Sequence, residues 1–204
     1  MIDTLYLFIL ATLALAISPG PDNIYVLTQS LSYGSKSGIA VTAGLISGCI
    51  VHTTLLAFGI SAVITASPVL YTIIKILGAC YLLYLAWSVY KTDPKLSLKG
   101  DSSAKTYSQL FRQGVIMNLV NPKVLIFFLA FFPGFLWDET ENTVLQFYIL
   151  GITFMVVSFM VFSAIALLAG RISVYLSQNV RAAVFLKWMQ IVVFVGIAIF
   201  IVLP

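Results

Sequence analysis

Six apolar runs, each bounded by charge, Gly or Pro, constrain this chain more than any other feature. They cover roughly residues 4–28, 38–64, 69–90, 113–135, 144–169 and 184–203. A hydrocarbon core about 30 Å thick takes roughly 20 apolar residues per helix. Six spans and their short connections therefore use up all 204 residues as one transmembrane domain. Composition agrees, with 61% hydrophobic and 9% charged residues, where a soluble domain has about 45–50% and about 25%. The runs lack period-two alternation, and a bilayer offers no water to an open strand edge, so the expected fold is all-α with six transmembrane helices.

The first run contains a decoy. Leu5–Ile17 ends near Ala14-Leu15-Ala16, which looks like a signal-peptidase site. A signal peptide begins with a basic region, whereas the early charge here is Asp3, so the segment reads as the first span.

Orientation follows from the basic residues. Lys36, the group Lys91, Lys95, Lys99, Lys105 and Arg112, and the group Arg171, Arg181 and Lys187 all fall on one side, leaving Lys75 and Lys123 inside spans. The opposite side carries Asp3, Asp138, Glu139 and Glu141. The basic side is expected to be cytoplasmic and both termini outside. The formal charge of +4 then reports topology in a lipid bilayer, not a nucleic-acid partner.

An inverted repeat of three plus three spans can be read from the sequence. Leu15–Gly20 aligns with Leu129–Gly134, pairing Pro19-Gly20 with Pro133-Gly134, and the same displacement carries spans two and three onto five and six. Half-repeats of about 1–90 and 113–204 would be joined by a cytoplasmic linker over about 91–112, with spans one and four broken by proline. In such an architecture a transporter places its site between the halves, near the midplane.

The most informative stretch is Ser18-Pro19-Gly20-Pro21-Asp22-Asn23. Pro19 and Pro21 cannot donate to the carbonyls of Leu15 and Ile17, so the helix must break. The positive end of the following half-helix suits a carboxylate and Asp22 suits an ammonium, which together match an amino-acid zwitterion. Alternatively, Asp22 only caps the half-helix at a hydrated boundary.

Asn118, Asn121, Pro122 and Lys123 form a second broken region, where Pro122 frees the carbonyl of Asn118. Lys123 either snorkels to headgroups or pairs with Asp22. His52 extends the Ala40, Gly44, Gly48 face into the bundle, where it either relays protons or makes one interhelical hydrogen bond. The Gly44/Gly48 pair suits close packing within the fold or a homodimer equally well. Gly34-Ser35-Lys36-Ser37 lacks phosphate-loop spacing, and no nucleophile–base set or paired carboxylates support an enzyme. No cofactor is called for, and the expected partners are a small-molecule substrate and protons.

In order and spacing these motifs match a known family. Beyond the two broken segments they include the Gly34…Gly38 turn, Leu77-Gly78-Ala79-Cys80-Tyr81-Leu82-Leu83-Tyr84-Leu85, Phe111-Arg112-Gln113-Gly114, and the continuation of Asn118–Lys123 to Phe132-Pro133. The chain resembles the LysE/RhtB family of amino-acid exporters over nearly its whole length. The resemblance implies export of amino acids or similar small metabolites across the bacterial inner membrane, by exchange with protons. Two departures bear on the substrate. Some members carry an acid in span five, where this chain has Val156-Val157-Ser158-Phe159, and many carry a glycine near Met189-Gln190.

Two rivals from other classes are a metal-ion exporter, for which Asp22, Asn23 and His52 make a thin ligand set, and a thiol–disulfide electron carrier, for which Cys49 and Cys80 sit away from the proline breaks. Both cysteines read as small packing residues. Topology is testable directly. Single cysteines at Ser102 and Thr140, in a background lacking Cys49 and Cys80, should be labelled from the cytoplasm and the periplasm respectively; periplasmic labelling at Ser102 would invert the assignment.

Overall fold

A computed structural model describes residues 2–91, 105–138 and 141–202. Most of the expected 91–112 linker, and the labelling positions Ser102 and Thr140, lie outside the described residues. What is described is helical, with no strand among those residues. The chain runs through α1 (Ile2–Ile17), α2 (Pro21–Tyr33), α3 (Ser35–Leu55), α4 (Ser61–Ala66), α5 (Pro68–Lys91), α6 (Tyr107–Val120), α7 (Pro122–Phe131), α8 (Thr143–Leu167), α9 (Ala169–Gln178) and α10 (Val180–Val202).

Four helices are long and apolar enough to cross a membrane, and two bent pairs bring the total to six. The bent pairs are spans one and four, as the prolines require: α1 and α2 meet at 58°, and the fourth span bends by 52° between α6 and its continuation. The expected bounds shift by a few residues. The fourth span begins at Tyr107 because Thr106 and Gln109 form a capping box: Thr106 Oγ1 accepts from the Gln109 amide at 3.3 Å and Gln109 Oε1 accepts from the Thr106 amide at 2.9 Å. The linker is correspondingly shorter than 91–112.

Three features depart from expectation. The break in span four lies at Asn121, within the expected Asn118–Lys123 region, whereas Pro133-Gly134 form a short 3₁₀ turn over Phe132–Phe135 and not a second break. Pro133 only tightens the end of a span into which α7 runs directly, whereas Pro122 opens α7 after the bend. The pairing of Pro19-Gly20 with Pro133-Gly134 therefore does not equate the two breaks. Span two contains a π turn over Leu56–Ile60. A short helix, α9, separates spans five and six.

Packing centres on α3, whose closest neighbour is α6. A Cβ on Gly44 would strike the Phe111 carbonyl, and one on Gly114 would strike the carbonyl of Val41. Absent side chains on both helices thus allow backbone to touch backbone. The Gly44/Gly48 face is consumed within the fold, by α6, leaving none of it for a homodimer. A single residue, Gly34 at φ 86° and ψ 162°, joins α2 to α3 in a conformation essentially closed to side chains.

Toward the acidic end, Phe8, Phe127, Phe128, Phe131, Phe132, Phe135 and Phe154 form one buried aromatic layer. Beyond it Gln146 holds the loop between spans four and five. Its Oε1 accepts from the amides of Trp137 (2.9 Å) and Asp138 (3.2 Å), and its Nε2 donates to the carbonyls of Asp138 (2.7 Å) and Glu141 (2.8 Å).

The α3–α6 seam predicts a sharp contrast between glycines. Gly44→Leu should destabilise the detergent-purified protein by about 3 kcal/mol or more, the upper range of overpacking. Gly196→Ala, with open space around it, should leave the melting temperature unchanged or slightly raised. Size-exclusion thermal-shift measurements compare them.

Candidate functional site

The two breaks meet. α2 contains 13 residues and α6 contains 14, so each break lies roughly 20 Å along its helix at about 1.5 Å per residue. Asp22 stands in the first turn of α2, after Pro21 and with Gly20 at the cap position. Gly20 gives no side-chain cap. The Asp22 carboxylate faces the other break, where Asn121 Nδ2 donates to Oδ2 at 3.2 Å and lies 3.4 Å from Oδ1. Asn121 is the residue at which α6 ends, and it is buried.

The broken segments are stitched by polar side chains. Asn23 Nδ2 donates to the Ala16 carbonyl at 2.7 Å. The Leu15 carbonyl, expected to be free because Pro19 cannot reach it, accepts the Ser18 amide at 3.2 Å. It is therefore not an open ligand. The Asn118 carbonyl, released by Pro122, accepts the Asn121 amide at 3.2 Å and lies 3.3 Å from His52 Nε2. A carbonyl only accepts, so Nε2 carries the proton and Nδ1 is left as a buried acceptor with no partner. His52 thus makes the expected interhelical hydrogen bond, with its ring 5.5 Å from that of Phe128.

Between the breaks lies a small cavity of about 50 Å³, lined on its polar side by Asp22, Asn23, Cys49, Asn118 and Ser158. Leu15, Leu45, Val124, Phe127, Phe154 and Phe162 complete the wall. It has room for a few water-sized groups. Ser158 Oγ and Asn118 Oδ1 are buried and have no hydrogen-bond partner. The orientation of the Asn118 amide follows from its neighbours. The Cys49 thiol already donates to the Leu45 carbonyl (3.6 Å), so its sulfur accepts Asn118 Nδ2 (3.5 Å) and the amide oxygen turns away. Asn118 fits there because Gly48 has no Cβ; a side-chain carbon would lie 2.5 Å from Asn118 Oδ1.

Of the residues singled out by sequence, Asp22, Asn23 and Asn118 line the cavity and Asn121 reaches it through Asp22. Pro19, Gly20, Pro21 and Pro122 shape the breaks without lining it. His52 stands one residue behind, through Asn118, so Asp22, Asn23 and His52 do not share one ligand pocket. The side chain of Lys123 lies outside the described residues, and with it the expected Lys123–Asp22 pair. Sequence reasoning missed Cys49, which is in the wall and not simply packing, whereas Cys80 is exposed on α5. It also passed over Ser158 as a binding residue, although the place where some family members carry an acid was a signal to follow.

A second opening lies at the basic end, bounded by the first break, α8, α9 and α10. Asn23 is common to its wall and to the inner cavity. Pro19 lines only this outer groove.

The family model for the LysE type translocator matches residues 13–203. Two similar relatives are named homoserine/homoserine lactone efflux protein, from Salmonella typhimurium and Salmonella typhi. Each is 30% identical over 171 residues, covering 84% of this chain and 82% of the relative. A third, from Vibrio cholerae serotype O1, is called an uncharacterized membrane protein; it is 30% identical over 174 residues, covering 85% of this chain and 84% of its own. No solved structure matches the chain.

The sulfur contact makes a prediction that packing alone does not. Cys49→Ser keeps an acceptor for Asn118 Nδ2 and should melt within about 0.5 kcal/mol of the parent. Cys49→Ala removes that acceptor and should cost about 1–3 kcal/mol, the penalty of a buried donor left unmade. Equal stability of the two variants in a thermal-shift assay would remove the hydrogen bond from the account.

Proposed function

This chain belongs to the LysE type translocator family, and from that membership we infer a secondary transporter that exports an amino acid or related small metabolite across the bacterial inner membrane in exchange for protons. The observation that carries the reading is Asp22, a carboxylate at the meeting of two broken spans, in the wall of a small cavity. An acid within a membrane span is costly and calls for a functional partner.

The chemistry of the wall points to an ammonium. The cavity is lined by a carboxylate and by two residues, Asn118 and Ser158, that keep buried oxygens without partners. Acceptors in that number suit a group with three N–H donors. The space fits such a head and not a whole amino acid, whose remainder would lie outside the cavity. The substrate carboxylate would turn toward the N-terminal amides of α2, where the helix dipole is positive. Homoserine, which appears in the names of two relatives, brings a hydroxyl that could use Ser158.

Exchange follows from sharing one carboxylate. Asp22 binds an ammonium or a proton but not both, so each ligand leaves before the other is taken. Crossing with a bare carboxylate is disfavoured by the cost of an unpaired charge away from water. In this reading His52, which bonds the Asn118 carbonyl through Nε2 and keeps Nδ1 as a buried acceptor, is the candidate proton relay.

Asp22→Asn keeps shape and removes the charge that both ligands need. In proteoliposomes loaded with homoserine and given an imposed pH gradient, the variant should lose gradient-driven efflux by at least about 100-fold while inserting normally, as expected when a charged partner worth about 3 kcal/mol is removed. Parental rates from the variant would reduce Asp22 to a structural residue.

A further inference from the structure

The groove at the basic end measures about 950 Å³, near the top of the roughly 300–1,000 Å³ range of small-molecule sites. Its walls are largely apolar. Leu27 is buried, while Ile17, Leu168, Tyr175 and Phe185 are 46–67% exposed. Two cations join them, Arg171 from α9 and Arg181 from α10. No carboxylate lines the groove, and neither arginine has an acidic partner among the described residues. The lining suits neither of two obvious occupants. Asn23, Asn179 and Tyr175 add a few polar groups, but a small polar solute would still set most of its surface against apolar walls. A neutral hydrocarbon would leave two guanidiniums unanswered.

An amphiphile with an anionic head satisfies both parts at once. Guanidinium forks match phosphate oxygens in pairs, and basic pockets between transmembrane helices at the membrane boundary suit acidic lipid headgroups. Exposed Leu168 and Phe185 are apolar surface that acyl chains cover without cost.

We propose that this groove binds one anionic phospholipid, its phosphate on Arg171 and Arg181 and an acyl chain along Ile17, Leu168 and Phe185. The site reaches the translocation machinery through Asn23, which lies in the walls of both groove and cavity and holds the Ala16 carbonyl at 2.7 Å. A lipid in the groove rests on Pro19 and braces the first break from outside.

Native mass spectrometry of the full chain tests this, with phosphatidylglycerol and phosphatidylcholine as the probes. The parent should retain one phosphatidylglycerol in preference to phosphatidylcholine. The Arg171→Gln/Arg181→Gln pair should lower phosphatidylglycerol affinity roughly 30-fold, as two interfacial arginines at about 1 kcal/mol each imply. Arg112→Gln, an exposed charge on α6 outside the groove, should leave it unchanged. If the double variant does not fold, Arg171→Gln alone should still lose about 5-fold by the same measure. Equal retention of the two lipids by the parent would overturn the proposal, as would an equal loss from Arg112→Gln. So would displacement of the lipid by millimolar homoserine or inorganic phosphate, which would make the groove a solute vestibule or a simple phosphate site. Since binding is read without transport, the outcome is independent of whether Asp22 couples protons.

Discussion

Proline withholding a backbone donor where there is no water to replace it governs this molecule. Each break leaves carbonyls and amides that must find partners inside the protein. The partners found are short polar side chains: Asn23 for Ala16, His52 for Asn118, and Asn121 for the carboxylate of Asp22. Because those side chains come from spans one, two and four, satisfying the breaks brings those spans together at one depth. The cavity is the space left where the stitching ends.

The surroundings of that cavity are unequal. Toward the acidic end the way is filled by stacked phenylalanines, among them Phe127 and Phe154, which also form part of the cavity wall. Toward the basic end the cavity and the groove share Asn23 in their walls. The aromatic layer is dense, with Phe128 and Phe132 centred 4.2 Å apart and Phe127 and Phe131 4.4 Å apart. A route through it needs several rings to move together, whereas on the opposite side Asn23 belongs to the walls of both cavity and groove.

What the sequence discloses follows from which physics is local. The first break was legible because two prolines within an apolar run have a single consequence wherever they occur. The second was legible at Pro122 for the same reason, but Pro133 misled, since a proline that bends a span and one that tightens its last turn are written alike. Spans were legible from hydrophobicity, yet α9 was not, because a mixed segment such as Arg171-Ile172-Ser173 gains its shape from the groove it packs beside. The π turn at Leu56–Ile60 carries no proline or glycine pair to announce it. Cys49 and Ser158 look like ordinary small residues on apolar helices. Only the assembly of α3, α6 and α8 turns both toward Asn118, and no spacing within one helix encodes that.

The contact between Gly44 and Gly114 has a mechanical consequence. Gly44 belongs to the first three spans and Gly114 to the last three, and at this point the two backbones have no side chains between them to compress or re-pack. A seam of that kind rivets the two trios together, so they cannot rock against each other as rigid bodies. In the exporter proposed above, motion that moves access from one face to the other would then fall to the short half-helices α2 and α7 about their prolines, with α3 and α6 serving as the fixed frame.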